Sequence, residues 1–218
     1  MASADAHEAC PLCASEDTAF FCRDEVRSYH RCEACGLTFV LAAQIPAPAD
    51  EKKRYDLHRN SPEDEGYRSF LNRVCVPLLE RLEPGSRGLD FGCGPGPTLS
   101  VMLEEAGHAV SLYDPYYAPD EGVLTGAYEF ITATEVFEHL RRPGHEIERL
   151  WSLLRAGGVL GVMTLLVPDD VDFPRWRYRD DATHIRFYAR RTFEWLGRAL
   201  PARVEVIDAD VVMLHKPA

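Results

Sequence analysis

The sequence is short of basic residues and contains no long apolar run. Lysine and arginine total 24 among 218 residues, against 35 aspartates and glutamates, so the formal net charge is −11. This acidity counts against a general electrostatic attraction to nucleic acid or to an anionic membrane. The longest nearly apolar run, residues 157–167, is shorter than the roughly 20 residues that span a bilayer. We therefore expect neither a nucleic-acid nor a membrane partner.

Secretion signals and a disulfide framework are also missing. The first ten residues, MASADAHEAC, contain neither a basic segment nor an apolar one, as a signal peptide would require. Cysteines number only seven, an odd count, and four of them form two Cys-x-x-Cys pairs. Paired cysteines of this kind suit a reducing compartment and a metal better than disulfides. We expect a soluble cytoplasmic protein.

The two cysteine pairs, CPLC and CEAC, predict a zinc site. With 18 residues between the pairs, the candidate ligands are Cys10, Cys13, Cys32 and Cys35. Four thiolates would occupy all four coordination positions of a tetrahedral zinc ion, so the zinc would be structural rather than catalytic. A module of about 35 residues cannot bury enough core to fold alone, and the metal would stabilise it. The alternatives are reduced cysteines paired by chance or, less readily, a redox pair.

The spacing of apolar residues predicts two structural units. Residues 1–45 carry the cysteine pairs on short strands and indicate a small zinc-ribbon-like module. Residues 46–62 change to proline, alanine and charge, and we interpret them as a linker or lid. Residues 63–218 alternate strands with amphipathic helices, which predicts an α/β fold with a Rossmann-like doubly wound sheet. There we expect Pro77 to kink or restart a helix and the Gly157-Gly158 pair to end another.

The stretch LDFGCGPG, residues 89–96, forms a glycine-rich loop between a predicted strand and a predicted helix. Doubly wound sheets bind ligands at this position. A dinucleotide fingerprint would need a third glycine where Pro97 stands, and the Asp90 carboxylate would repel a phosphate. S-adenosylmethionine has no phosphate and carries a sulfonium, an ammonium group and a ribose diol. Asp114, at the end of the next strand, is placed to accept hydrogen bonds from such a diol.

These segments match a known family. LDFGCGPG and YDP resemble motif I and the following acidic motif of class I S-adenosylmethionine-dependent methyltransferases, and EVFEHL with LLRAGGVLGVMT is similar to that family's fourth strand, next helix and fifth strand. The resemblance covers roughly residues 55–200. It implies that Asp90 contacts the amino end of the cofactor, that Asp114 contacts its ribose, and that Thr134 and Glu135 form a wall of the cofactor site. It also implies cofactor contacts from the backbone of the glycine loop, namely Gly92, Cys93, Gly94 and Gly96. The alternative, a glycine turn that serves only packing, is disfavoured by the ordered set of motifs.

The sequence departs from the family after Asp114. Only 13 residues, 115–127, precede the next strand, where the family usually fits another helix and a strand that carries an adenine contact. We expect that helix and strand to be abbreviated or absent. Residues 55–60, YDLHRN, are interpreted as a lid over the cofactor, with Tyr55 and His58 as its contacts.

Two histidines are candidates for a general base. Methyl transfer depends mainly on holding nucleophile and sulfonium together, so a base is needed only if the acceptor must lose a proton. His139 in EVFEHL follows the cofactor-lining strand, or alternatively hydrogen-bonds in the first turn of a helix. His184, with Tyr188 and Trp176, lines the predicted acceptor pocket, or alternatively orders its loop.

The sequence therefore predicts a class I methyltransferase with S-adenosylmethionine as cofactor, a structural zinc and a small-molecule acceptor. An RNA methyltransferase that holds its substrate through the zinc module is the alternative enzyme. Residues 1–45 carry seven acids against three arginines, which argues against it. The third hypothesis is a non-catalytic adaptor that binds S-adenosylmethionine and docks a partner through the zinc module.

Overall fold

The computed structural model describes residues 7–57 and 59–218. The strands are β1 (Thr18–Arg23), β2 (Ser28–Cys32), β3 (Thr38–Val40), β4 (Arg87–Phe91), β5 (Ala109–Tyr113), β6 (Tyr128–Thr134), β7 (Leu154–Met163), β8 (Arg186–Phe187), β9 (Arg203–Val206) and β10 (Val211–His215). The helices are α1 (Pro48–Tyr55), α2 (Glu65–Leu79), α3 (Thr98–Glu105), α4 (Pro143–Leu153) and α5 (Arg190–Ala199). His58, a predicted lid contact, lies outside the described residues. Within the described part of the chain, none of these helices could cross a membrane.

The main sheet has six strands in the order β5-β4-β6-β7-β10-β9. β5, β4, β6 and β7 run parallel, and β10 runs antiparallel to both β7 and β9. Parallel neighbours need crossover connections, which α3 provides between β4 and β5 and α4 between β6 and β7. The predicted doubly wound α/β sheet is therefore confirmed.

Helices cover both faces of this sheet. Successive strand residues point to opposite faces, so Phe130 packs in a cluster with α2 and α3, whereas its neighbour Ile131 packs in a cluster with α4 and α5. Burial on both sides explains why β7 ends in a continuous apolar run, residues 159–163. The carboxyl ends of the parallel strands remain open at one edge.

The cysteine-bearing segment forms a second, four-stranded sheet in the order β1-β2-β3-β8. β1 and β2 pair antiparallel, as the strand-turn-strand pattern predicted. β8, which belongs to the large domain in sequence, pairs with β3 through Thr38 opposite Phe187 and Phe39 opposite Arg186. One hydrophobic cluster joins Leu37 of the module to α4 and α5. The module and the large domain therefore share a sheet and a core.

Three local expectations can be compared with the structure. The segment 46–62 contains a helix, α1, which begins at Pro48 and whose acidic first turn and basic last turn suit the helix dipole. α2 continues through Pro77 to Leu79, so the helix does not restart at the proline. α4 ends before Gly157 and Gly158, because Leu154 is already extended and begins β7.

The segment after Asp114 is abbreviated as predicted. In place of a helix and a strand, residues 114–127 contain an isolated bridge between Asp114 and Ala118 and a 3₁₀ turn over Glu121–Thr125. β5 is consequently an edge strand, and the family's usual third strand has no counterpart in this sheet among the described residues.

Candidate functional site

A cleft of about 620 Å³ opens at the carboxyl ends of β4, β5 and β6. This size suits a small-molecule ligand. The cleft is lined by eleven of the residues selected from the sequence, namely Tyr55, Asp90, Gly92, Cys93, Gly94, Gly96, Asp114, Thr134, Glu135, His139 and His184. The structure therefore brings the glycine loop, both aspartates and both histidines to one cavity.

The glycine loop closes tightly against its neighbours. Gly92 and Gly94 adopt φ values of +75° and +65°, which favour glycine. A Cβ on Gly92 would approach Cγ2 of Val136 to 2.4 Å, and one on Gly96 would approach the carbonyl oxygen of Asn60 to 2.2 Å. The loop is thus held between the end of β6 and the segment that joins α1 to α2.

Replacing Gly92 by alanine is expected to destabilise the protein beyond the cost of a left-handed residue alone, which is about 1–2 kcal/mol. The added methyl group would also collide with Val136. Gly85→Ala is the matched control, because Gly85 has φ +74° and open space around it. Denaturant unfolding of both variants measures the difference. Equal losses of unfolding free energy would contradict the close approach at Gly92.

Asp114 is held by backbone groups on both carboxylate oxygens. Oδ1 accepts hydrogen bonds from the N–H groups of Tyr116 (2.8 Å) and Tyr117 (3.1 Å), and Oδ2 accepts one from Gly94 (3.1 Å). A carboxylate has about four acceptor positions. Three are therefore occupied, which leaves room for one hydrogen bond from a ligand and fixes the carboxylate to the glycine loop.

Asp90 and Glu135 are acids in an apolar setting. Asp90 is buried, accepts a 2.7 Å hydrogen bond from the Thr132 hydroxyl, and has its pKa raised to about 6 by burial. Burial, with the nearby charges of Glu138 and Asp210, raises the pKa of Glu135 to about 9. A cation in this cleft would reverse both effects, because it favours the ionised carboxylates.

The two histidines meet at the other side of the cleft. Their ring centroids are 4.9 Å apart, and the Tyr55 ring lies 5.4 Å from that of His139. His139 Nδ1 lies 2.9 Å from the carbonyl oxygen of Thr183, and His184 Nδ1 lies 2.6 Å from that of Tyr178. Burial lowers the pKa of His184, which keeps this imidazole neutral near pH 7.

Trp176 and Tyr188 do not line the cleft. Tyr188 is fully buried, its hydroxyl donates to the carbonyl oxygen of Phe137 at 3.1 Å, and its ring packs in the core. Trp176 packs against Phe173 and Phe187 beside a separate shallow groove. Of the three residues selected for the acceptor side, the structure therefore brings only His184 into the cleft.

The cleft also contains residues that sequence reasoning missed. Asn60, Tyr116, Asp181 and Thr183 lie on its wall. Tyr116 directly follows the YDP segment, so its position was accessible from the motif. The others come from irregular segments, where no periodicity indicates the direction of a side chain.

The four cysteines converge on one point. Sγ of Cys10 lies 3.5 Å from Sγ of Cys35, Sγ of Cys13 lies 3.5 Å from Sγ of Cys32, and all four sulfurs lie within 4.8 Å of one another. A disulfide would bring two sulfurs to about 2.05 Å. Zn–S bonds of about 2.3 Å in a tetrahedron separate the sulfurs by about 3.8 Å, so the donor set fits zinc.

Comparisons with known proteins agree with this fold. A family model described as a methyltransferase domain matches residues 64–201. The Burkholderia thailandensis 1,6-didemethyltoxoflavin-N1-methyltransferase, solved with 1,6-didemethyltoxoflavin and S-adenosylhomocysteine, superposes with a TM-score of 0.58 and 16% identity, covering 91% of this chain and 99% of that one. CalO1, a methyltransferase in calicheamicin biosynthesis that was solved with S-adenosylhomocysteine bound, gives a TM-score of 0.50 and 15% identity. The match covers 78% of this chain and 59% of the CalO1 chain. Curated proteins include no match.

Proposed function

We propose that this protein methylates a small molecule in the cleft. The chain belongs to the methyltransferase domain family and is an S-adenosylmethionine-dependent enzyme of the class I fold. The observation that carries this proposal is the meeting of the glycine loop, two aspartates and two histidines at the carboxyl edge of the sheet. Ligands of open α/β sheets bind at this edge.

We propose that the cofactor lies along the glycine loop. The backbone of Gly92, Cys93, Gly94 and Gly96 would surround its methionine and ribose part, Asp90 would attract the ammonium group, Asp114 would accept a ribose hydroxyl, and Tyr55, Thr134 and Glu135 would close the wall. Oγ1 of Thr134 supports this arrangement, because it is buried and has no hydrogen-bond partner among the described residues. A ligand hydroxyl or amine would satisfy it.

Asp114→Ala is expected to weaken S-adenosylhomocysteine binding by about 1.5–3 kcal/mol, roughly ten- to a hundredfold in Kd. The lower end of this range corresponds to one charge-assisted hydrogen bond to the ribose. The upper end includes the displacement of the glycine loop, because the Asp114 carboxylate also accepts a hydrogen bond from Gly94. Titration calorimetry measures the change. Glu121→Ala, which removes an exposed acid from the following turn, is the control and should bind normally. An unchanged Kd for Asp114→Ala would remove the ribose assignment.

Affinity for S-adenosylmethionine is expected to fall as the pH drops through about 6. Burial raises the pKa of Asp90 to about 6, so the carboxylate is protonated below that pH and no longer attracts the cationic cofactor. Calorimetry between pH 5 and 7.5 measures this dependence. Asp90→Asn should bind more weakly at pH 7 and lose the dependence. A wild-type Kd that stays flat over this range would show that Asp90 does not face the cation.

The acceptor would occupy the histidine side of the cleft. There we propose that His139, ahead of His184, takes a proton from the acceptor. The likeness in fold to a methyltransferase solved with 1,6-didemethyltoxoflavin and S-adenosylhomocysteine supports a small acceptor.

Incubation with methyl-labelled cofactor and a cell extract tests the class of acceptor. Label in the small-molecule fraction is expected, label in RNA would favour the alternative enzyme, and an absence of turnover would favour the non-catalytic adaptor.

We propose that the cysteine cluster holds a structural zinc. Its four thiolates would fill the tetrahedral coordination and leave no position for a substrate. Free thiols persist in reducing compartments, which supports a cytoplasmic location.

A further inference from the structure

We propose that Glu138, His139 and His184 form a second metal site, distinct from the four cysteines, which takes a divalent transition-metal ion at the acceptor side of the cleft. One ligand atom from each of the three residues lies within 4.8 Å of the others. Two imidazole nitrogens and one carboxylate oxygen suit zinc, manganese, iron or cobalt, whereas thiolates favour softer ions. His139 and His184 line the cleft, so an ion held there would be accessible to a ligand.

The hydrogen bonds of the two imidazoles prepare them as ligands. Each Nδ1 lies within hydrogen-bond distance of a backbone carbonyl oxygen, that of Thr183 for His139 and that of Tyr178 for His184. A carbonyl oxygen only accepts, so each Nδ1 must carry the proton and each Nε2 keeps its lone pair. Metal-binding histidines characteristically donate their other N–H in this way, which fixes the tautomer and the ring orientation.

Glu138 provides the second observation. Its side chain is fully buried, and Oε1 accepts a 2.7 Å hydrogen bond from the Tyr178 hydroxyl. Oε2 is buried as well but has no hydrogen-bond partner in the described part of the chain. A buried carboxylate oxygen without a partner is costly, because its desolvation is not offset. A cation held by the Glu138 carboxylate and the two imidazoles would offset this cost.

This inference rests on the proposed function, because the ion would lie at the acceptor side of the proposed cleft and would take over from His139 the task of assisting loss of the acceptor's proton. An ion bound there would act as a Lewis acid and lower the pKa of an acceptor hydroxyl, whose proton would pass to water. The oxygen would then bond to the methyl carbon as the bond from that carbon to the sulfonium sulfur breaks, which leaves S-adenosylhomocysteine. The acceptor would then be a hydroxyl-bearing molecule. His139 and His184 would serve as ligands of the ion in place of a free base.

The test is a titration of full-length protein carrying one equivalent of zinc, enough for the four cysteines and not for the second site, with Mn²⁺, in which the electron paramagnetic resonance signal of free Mn²⁺ is followed. Mn²⁺ prefers oxygen and nitrogen ligands to thiolates, so it reports this site and not the cysteine cluster. One Mn²⁺ per chain is expected, with affinity reduced at least tenfold in His184→Ala and in Glu138→Gln. Glu146→Gln, which changes another acid on the cleft wall, is the control and should bind Mn²⁺ normally.

Circular dichroism and S-adenosylhomocysteine binding establish that each variant is folded. If Glu138→Gln does not fold, His184→Ala decides the question. Wild-type protein that binds no Mn²⁺, or His184→Ala that binds it as tightly as the wild type, would overturn the metal site. The Mn²⁺ result judges this inference alone, whereas a failure to bind S-adenosylhomocysteine would count against the proposed function.

Discussion

Replacing His139 by alanine is expected to slow methyl transfer by a factor of about a hundred to ten thousand while leaving S-adenosylhomocysteine affinity nearly unchanged. The residue follows the end of β6, where the methyl group of a bound cofactor would lie, and its ring faces the cleft. Its Nδ1 hydrogen bond to Thr183 leaves Nε2 as the nitrogen that can accept a proton or bind an ion. Steady-state kinetics with an identified acceptor, together with calorimetry, measure both quantities.

His184→Ala is the comparison that assigns the roles. Burial keeps His184 neutral, and its ring is packed between His139 and Tyr178. With His139 as the base, we therefore expect the loss of His184 to raise KM for the acceptor more than it lowers kcat. His145→Ala is the control, because His145 is an exposed histidine on α4. Normal turnover in His139→Ala with loss in His184→Ala would reverse the roles. Full activity in both would mean that positioning alone carries the reaction and that the acceptor is already a good nucleophile.

Removal of zinc is expected to unfold the cysteine module. We expect it also to loosen residues 173–188, which carry His184 at the acceptor side of the cleft. Structural zinc in small domains contributes about 10–16 kcal/mol of folding free energy, more than the module's own short strands can replace. The module also holds the loop that carries His184. Arg27 donates to the carbonyl oxygens of Ala182 (3.2 Å) and His184 (2.9 Å), and Asp24 pairs with Arg179 at 2.7 Å.

Chelation should therefore lower the melting temperature and speed amide exchange in residues 18–40 and also in residues 173–188. Cys35→Ser should reproduce both effects. Cys22→Ser, which removes a cysteine outside the cluster, is the matched control and should retain one zinc per chain. Elemental analysis that finds no zinc in protein purified without chelator would refute the site. Faster exchange confined to residues 18–40 would contradict the coupling to the acceptor loop.

The sequence by itself determined the alternation of strands and helices in residues 63–218, the glycine loop and the cysteine quartet. These features depend on short-range properties: the period of apolar residues, the need for glycine where φ is positive, and the two-residue gap within each cysteine pair. The abbreviated segment after Asp114 was also predictable, because 13 residues do not accommodate a helix, a strand and their connections.

Only the tertiary structure decided which side chains of residues 173–188 face the cleft. Pairing of β8 with β3 helps to fix this segment, and Tyr188 turns into the core while His184 lies on the cleft wall. The same packing brings His184 beside Glu138, although the two are far apart in sequence. Such contacts depend on the register between distant elements and on the volume left in a shared core. Neither quantity is encoded in the local periodicity of the chain.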